Sequence, residues 1–270
     1  FGNLLTQGMV VNESYYDPVH RRYLYKSELG EDATVSPLAG QAKLEIKLDK
    51  MSKSKNNGVD PDEMVERYGA DSVRLFSLFA SPPERDLEWS DQGIEGSSRF
   101  LNRLYRLARE VEARSATVPA RALPETTRQA VIKNEQGKKL YIELNRTIKK
   151  VTEDIGERYH FNTAIAALME LTNTLSSSLA SWEGEASDSP RLQLVRYALI
   201  QMSAMLAPLT PHLAEEIYAE LTQGQGGISA GAWPGYDADY ATHDEIEVVF
   251  QINGKPKAKA RVPRSMSKED

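Results

Sequence analysis

Two lysines three positions apart, Lys50 and Lys53, stand in the run Lys50-Met51-Ser52-Lys53-Ser54, which continues as Lys55-Asn56-Asn57-Gly58. The run holds almost nothing apolar to bury and ends in strong loop formers, so it predicts an unanchored, mobile loop. Two ammonium groups on long flexible stems, with small hydroxyls and free backbone N–H groups between them, suit a moving polyphosphate such as ATP. When a carboxylate attacks ATP, negative charge develops on the leaving pyrophosphate. A lysine that reaches this charge only as it develops lowers the barrier, whereas one that holds the ground state merely tightens binding. Lys53 is the better candidate for that contact, with Lys50 assisting and Met51, Ser52 and Ser54 completing the nucleotide cradle. Taken alone, such a run also reads as a solvated basic loop or an RNA-contacting patch.

The elements around the loop follow from periodicity. Residues 1–60 are rich in turn formers and short β-type runs, among them Met9-Val10-Val11 and the period-two stretch of residues 43–48, and so predict strands and loops. From Asp60 the period becomes helical. Asp60 is an N-cap, Pro61 the first helical residue and Glu63 lies three after the cap, while Gly69 suits a left-handed stop and Asp71 a cap for a second helix over 72–80. A long helix is predicted from Asp91 to Arg114, because Ile94, Leu101, Leu104, Tyr105, Ala108 and Val111 share one face. After an Ala/Pro connector at 115–124, helical stretches are predicted over 126–155, with Gly137 as a weak point, over 162–182, and over 191–218, interrupted at Pro208 and Pro211. Their stripes, such as Tyr141, Leu144, Ile148, Val151 and Ile155, suit antiparallel packing in a bundle. Residues 246–262 read as a hairpin about Asn253-Gly254. The chain starts at Phe1 and ends soon after that hairpin, which is marginal alone, so an excised piece of a longer protein is expected.

Composition narrows the function. With 40% hydrophobic residues in 270 the chain can form real cores, and no apolar run reaches the ~20 residues that span a bilayer, so no membrane role is expected. No cysteine is present, which excludes disulfides and thiolate metal sites, and four scattered histidines show no ligand spacing. A formal net charge of -6 argues against wholesale coating of nucleic acid, so any RNA contact must come from local basic stripes.

The run KMSKSKNNGVDPDEMVERYGADSVRLF at residues 50–76 resembles the signature loop and following helices of class I aminoacyl-tRNA synthetases, most closely the leucine enzymes of bacterial type. HFNTAIAALMELTN at 160–173 and LAPLTPHLAEEIY at 206–218 resemble that family's anticodon-binding bundle, and FQINGKPKAKARVP at 250–263 the start of its small C-terminal domain. The lysine loop is shared by many class I enzymes and the PHLAEE segment by the leucine, isoleucine and valine group, whereas FNTAIAALMEL and QING favour leucine. Residues 10–49 depart from the pattern, where bacterial leucine enzymes carry a lineage-variable insertion, and Asn145 stands where a histidine is common.

The resemblance implies a mainly α chain: a helical bundle of the anticodon-binding type, preceded by a strand- and loop-rich remnant of a Rossmann catalytic domain and followed by a truncated hairpin. The expected units are residues 1–60 with the loop, short stem-contact helices at 61–90, the bundle at 91–223 and the start of a C-terminal domain at 245–270. It further implies ATP-dependent activation of leucine and transfer to tRNA(Leu) by a cytoplasmic monomer, with Mg2+ accompanying ATP but no ligand for it here. The His-x-Gly-His motif of the Rossmann fold and any editing domain are absent from the sequence, so the chain alone is expected to be inactive. A valine or isoleucine enzyme, a non-catalytic tRNA-binding module and a purely structural bundle are the rival readings.

Arg99, Arg103, Arg106 and Arg114 fall within about 80° on the predicted long helix, opposite its apolar stripe. With the family resemblance, Arg99, Arg103 and Arg106 become candidate tRNA-phosphate contacts, against a solvated face supported by Glu110 among them. Lys255, Lys257, Lys259 and Arg261 alternate on one strand, and Lys257 and Lys259 are candidate RNA contacts, against an edge strand protected by charge. Trp89 reads as a core anchor, Met202 and Met205 as core, and His212 as a capping or packing residue.

Overall fold

The computed structural model describes residues 4–38, 42–119, 122–224, 227–228 and 231–242, together with the backbone of 245–252 and 255–263. Three strands, β1 (Val10–Asp17), β2 (Arg22–Leu24) and β3 (Glu45–Lys50), form an antiparallel ribbon in the order β2-β1-β3. The register runs from Tyr16↔Glu45 to Val11↔Lys50, so the last rung abuts the lysine loop. At the other end Asp17, fully buried, accepts hydrogen bonds from the backbone N–H of Val19 and His20 and from the Ser36 hydroxyl at 2.6 Å, which pins the turn after β1. The Ser36 hydroxyl, followed by the His20 contacts, holds the Asp17 carboxyl well below the usual carboxylate range.

Beyond the loop, α1 (Pro61–Tyr68) and α2 (Ala70–Phe79) lead to the short β4 (Leu87–Glu88), which pairs parallel with β1. Asp60 caps α1 by accepting from the N–H of Asp62, with Pro61 at the first position. Gly69 has φ +83° but an extended ψ of 150°, so the chain turns directly into α2, two residues earlier than the expected start. Asp71 therefore lies inside α2 and does not cap it; its carboxylate reaches another helix. Met64, Phe76, Leu87 and Ile94 form a small core here, with Trp89 packed edge-on to Phe76 as the expected anchor.

The bundle comprises α3 (Asp91–Arg114), α4 (Glu125–Lys133), α5 (Glu135–Gly156), α6 (Phe161–Ser181), α7 (Pro190–Leu206) and α8 (Pro211–Thr222). The long-helix boundaries agree with the apolar stripe, and Leu104, Leu144, Leu168, Leu199, Met202 and Met205 lie within its continuous core. The expected single helix over 126–155 is two. The break falls at Asn134, whose side chain caps α5 by accepting from Gly137 N–H at 2.9 Å. Gly137 is a close-approach residue, since a Cβ there would stand 2.9 Å from the Val131 carbonyl oxygen. Arg196 is 1% exposed and lies between two helix ends, donating to the carbonyls of Ser115 (2.7 Å) and Leu221 (2.9 Å). A cation at the carbonyl ends of α3 and α8 satisfies groups that the helices leave open.

Residues 231–242 return across the bundle, tied by Asp237, which accepts from Arg128 and Tyr141 and donates its N–H to Asn145. The hairpin β5 (Glu245–Ile252) and β6 (Lys255–Pro263) follows, its register shifting between Phe250 and Gln251. Among the described residues no helix is long and apolar enough to cross a membrane.

Candidate functional site

The lysine loop leaves the ribbon at the end of β3 and makes one 3-10 turn over Lys53–Lys55 before α1. The expectation that nothing anchors it is overturned. Asn57, 4% exposed, accepts from the Ser52 N–H at 2.9 Å and points its amide nitrogen at the carbonyls of Asn12 (3.2 Å), Asp49 (3.2 Å) and Lys50 (3.4 Å). Asn12 returns a bond from its own amide to the Asn57 carbonyl at 3.1 Å. Asn56 adopts the left-handed conformation, φ 52°, that an asparagine tolerates, and its amide donates to the Tyr23 carbonyl at 2.9 Å. The Ser52 and Ser54 hydroxyls lie 3.2 Å apart.

The three lysines of the loop differ in what surrounds them. Lys55 Nζ sits 2.6 Å from Asp49, whose carboxylate also accepts from the Ser14 hydroxyl at 2.7 Å. Lys55 first and Ser14 second hold the Asp49 carboxyl below its ordinary range. Lys50 and Lys53 are exposed, and the ammonium group of neither has a hydrogen-bond or ion-pair partner among the described residues. The arrangement therefore presents two cations to solvent and neutralises a third. Lys50 and Lys53 are legible from their spacing, whereas no local pattern marks Asn12, Asp49 or Asn57 as their support.

Arg99, Arg103 and Arg106 are exposed on α3 and line one open groove of about 400 Å³ with Glu110 and, from α6, Ser176 and Ala180. Arg99 pairs with Glu95 at 2.6 Å, the Arg103 guanidinium lies 5.9 Å from the Phe100 ring centroid, and Arg106 donates to the Asn102 carbonyl. Arg114 is withdrawn from this ridge, half-buried between Glu110 at 2.8 Å and the Trp182 carbonyl at 3.1 Å. A second groove, unanticipated from sequence, gathers Arg146, Lys149, Lys150 and Arg158 with Glu143, Glu153 and Glu170. Its cations are largely occupied, since Lys150 and Arg158 bond Asp154 and Arg146 bonds the Thr242 carbonyl. The side chains of Lys257 and Lys259 lie outside the described residues. His212 is exposed in the first turn of α8, with no capping bond.

A strand ribbon carrying a lysine loop, joined through two short helices to a bundle, is the arrangement of a class I aminoacyl-tRNA synthetase. Residues 45–90 match the class I tRNA synthetases for isoleucine, leucine, methionine and valine, and residues 137–270 match the anticodon-binding domain of tRNA ligases. The chain belongs to the leucine–tRNA ligase family. It is 41% identical to the leucine–tRNA ligase of Fusobacterium nucleatum over 94% of this chain and 28% of that protein. It is 40% identical to that of Colwellia psychrerythraea over 100% of this chain and 31% of that protein. Among solved structures, the ternary complex of Agrobacterium radiobacter K84 agnB2 LeuRS with tRNA and LeuAMS superposes with a TM-score of 0.63 at 31% identity, covering 82% of this chain and 26% of that one. The chain thus spans under a third of the length of these relatives.

Proposed function

We propose that the whole protein activates leucine with ATP and transfers it to tRNA(Leu), and that this chain supplies the pyrophosphate-contacting loop and helices that grip the tRNA. The observation that carries the reading is the pair Lys50 and Lys53, exposed and unpaired on a loop whose third lysine is neutralised by Asp49. It lies in the segment that matches the class I synthetases. Free ammonium groups on a braced loop keep their charge available for the pyrophosphate, and Lys53, at the loop's turn, is placed to meet it as it leaves. Met51, Ser52 and Ser54 line the same loop. Mg2+ would accompany ATP, held in the first place by the oxygens of its phosphates.

Arg99, Arg103 and Arg106, with Lys257 and Lys259, are the proposed phosphate contacts for tRNA. The division of labour is residues 1–60 for the loop, 61–90 for the stem side, 91–223 for the bundle and 245–270 for the start of a further domain, in a cytoplasmic monomer. Aminoacylation by the full-length protein tests the reading. Leucine is expected to be charged in strong preference to isoleucine and valine, with no charging by this chain alone. Preferential charging of valine or isoleucine, or activity of the isolated chain, would refute it.

A further inference from the structure

The lysine loop is bounded by Lys50 at the end of β3 and Asn57, and the bonds that close it come from a strand far away in sequence. Asn57 accepts from Ser52 N–H on one side and faces three carbonyls on the other, those of Asn12, Asp49 and Lys50. This fixes the orientation of its amide, because an N–H must meet the oxygen and carbonyls must meet the nitrogen. Asn12 on β1 returns a bond to the Asn57 carbonyl, so the two asparagines clasp each other across 45 positions of sequence. A second tie runs from Asn56 to Tyr23 on β2, and a third from Lys55 to Asp49, itself steadied by Ser14 on β1. None of these bonds uses the ammonium of Lys50 or Lys53.

We propose that the β1–β3 ribbon is a positioning brace for the lysine loop, with Asn57 its pin and Asn12 the partner that holds the pin to β1. The brace fixes the loop backbone at both ends and engages Lys55, which leaves Lys53 and Lys50 as the only loop cations free to meet a polyphosphate. Asn57 is a positioning residue: it acts through the lysines and touches no reacting atom. The proposal rests on the reading of the loop as the pyrophosphate contact, and its experiment separates the two.

In the full-length protein, Asn57→Asp keeps the acceptor for Ser52 N–H but turns a second oxygen toward three carbonyls, and Asn57→Ala removes the pin altogether. Both are expected to lower the maximal rate of leucine-dependent pyrophosphate exchange by about 10- to 100-fold, with the KM for leucine within about two-fold of wild type. On a Lys53→Ala background the Asn57→Ala change should cost less than about three-fold more, because both act through one contact. Trypsin cleavage at Lys50, Lys53 and Lys55 in the folded protein should quicken at least about ten-fold in Asn57→Ala. A wild-type exchange rate in Asn57→Asp, a full multiplicative loss on the Lys53→Ala background, or unchanged cleavage in Asn57→Ala would each overturn the brace. A wild-type rate in Lys53→Ala overturns the pyrophosphate reading instead, and the cleavage rates still judge the brace.

Discussion

Lys53 and Asn57 stand four positions apart on one loop, the first exposed with a free ammonium and the second buried. Lys53 is legible from sequence because two ammonium groups stand at close spacing in a run with almost nothing apolar to bury. Asn57 is not, since an asparagine pair before glycine reads as turn chemistry, and only Asn56, with its positive φ, has that role. Burial of Asn57 depends on β1 arriving from 45 residues upstream, a tertiary event that no local pattern encodes. The free ammonium of Lys53 has a direct kinetic consequence. In the full-length protein Lys53→Ala should lower leucyl-adenylate formation by at least ~100-fold with a smaller effect on leucine binding, the signature of an interaction made in the transition state. Pyrophosphate exchange within a few-fold of wild type would remove Lys53 from that role.

Helices were the most legible part of the chain, because a period of 3.6 repeated over many turns outweighs single residues. The boundaries of α3 follow from its apolar face and from Ser90, which caps it by accepting from Gly93 N–H. Periodicity misplaces helix ends where a side chain forms a local or tertiary bond of its own. Asn134 splits α4 from α5 by capping the second, and Asp71 leaves its own helix uncapped to serve another. Arginine position was legible by angle but partnership was not: Arg114 shares the face of Arg99, Arg103 and Arg106, yet Glu110 and the Trp182 carbonyl hold it inward. The remaining three line the groove between α3 and α6. If each meets a phosphate, replacing all three by alanine should weaken tRNA binding and flatten the dependence of log K on log salt by about 2 units for single-strand-like geometry. Retention of both affinity and slope in the full-length protein would reduce the ridge to a solvated face.

Between the loop-bearing part and the bundle the contact is specific. Asp71 of α2 accepts the backbone N–H of Leu213 at 2.7 Å, capping α8 from outside, and Arg74 donates to the carbonyls of Pro208 (3.0 Å) and Leu209 (3.2 Å) in the turn before it. One helix thus supplies an acceptor to the start of α8 and a cation to the carbonyls preceding it, as the polarity of helix ends favours. Asp71 is 8% exposed, so solvent replaces the lost acceptor poorly. Asp71→Ala should cost about 0.5–2 kcal/mol, by analogy with a lost N-cap, and lower Tm by about 2–4 °C for each kcal/mol in a chain of this size. Asp71→Asn, which keeps an acceptor, should recover most of it. Thermal melts in which alanine and asparagine behave like wild type would show the clasp to be dispensable. Nothing in the spacing of residues 71–74 announced this junction, because both partners lie more than a hundred positions away.

The side-chain bonds that tie the lysine loop to the ribbon run to Asn12, Ser14, Tyr23 and Asp49, whereas Gly30 and Glu31 lie in the connection between β2 and β3 and are exposed. A Cβ placed on Gly30 would meet no atom within 4 Å. Lengthening a surface loop costs only about 0.6 kcal/mol per doubling. The bond between Gly30 and Glu31 is therefore a natural splice point for an affinity peptide or a fluorescent reporter, carried by the same strands that steady the loop and clear of its chemistry.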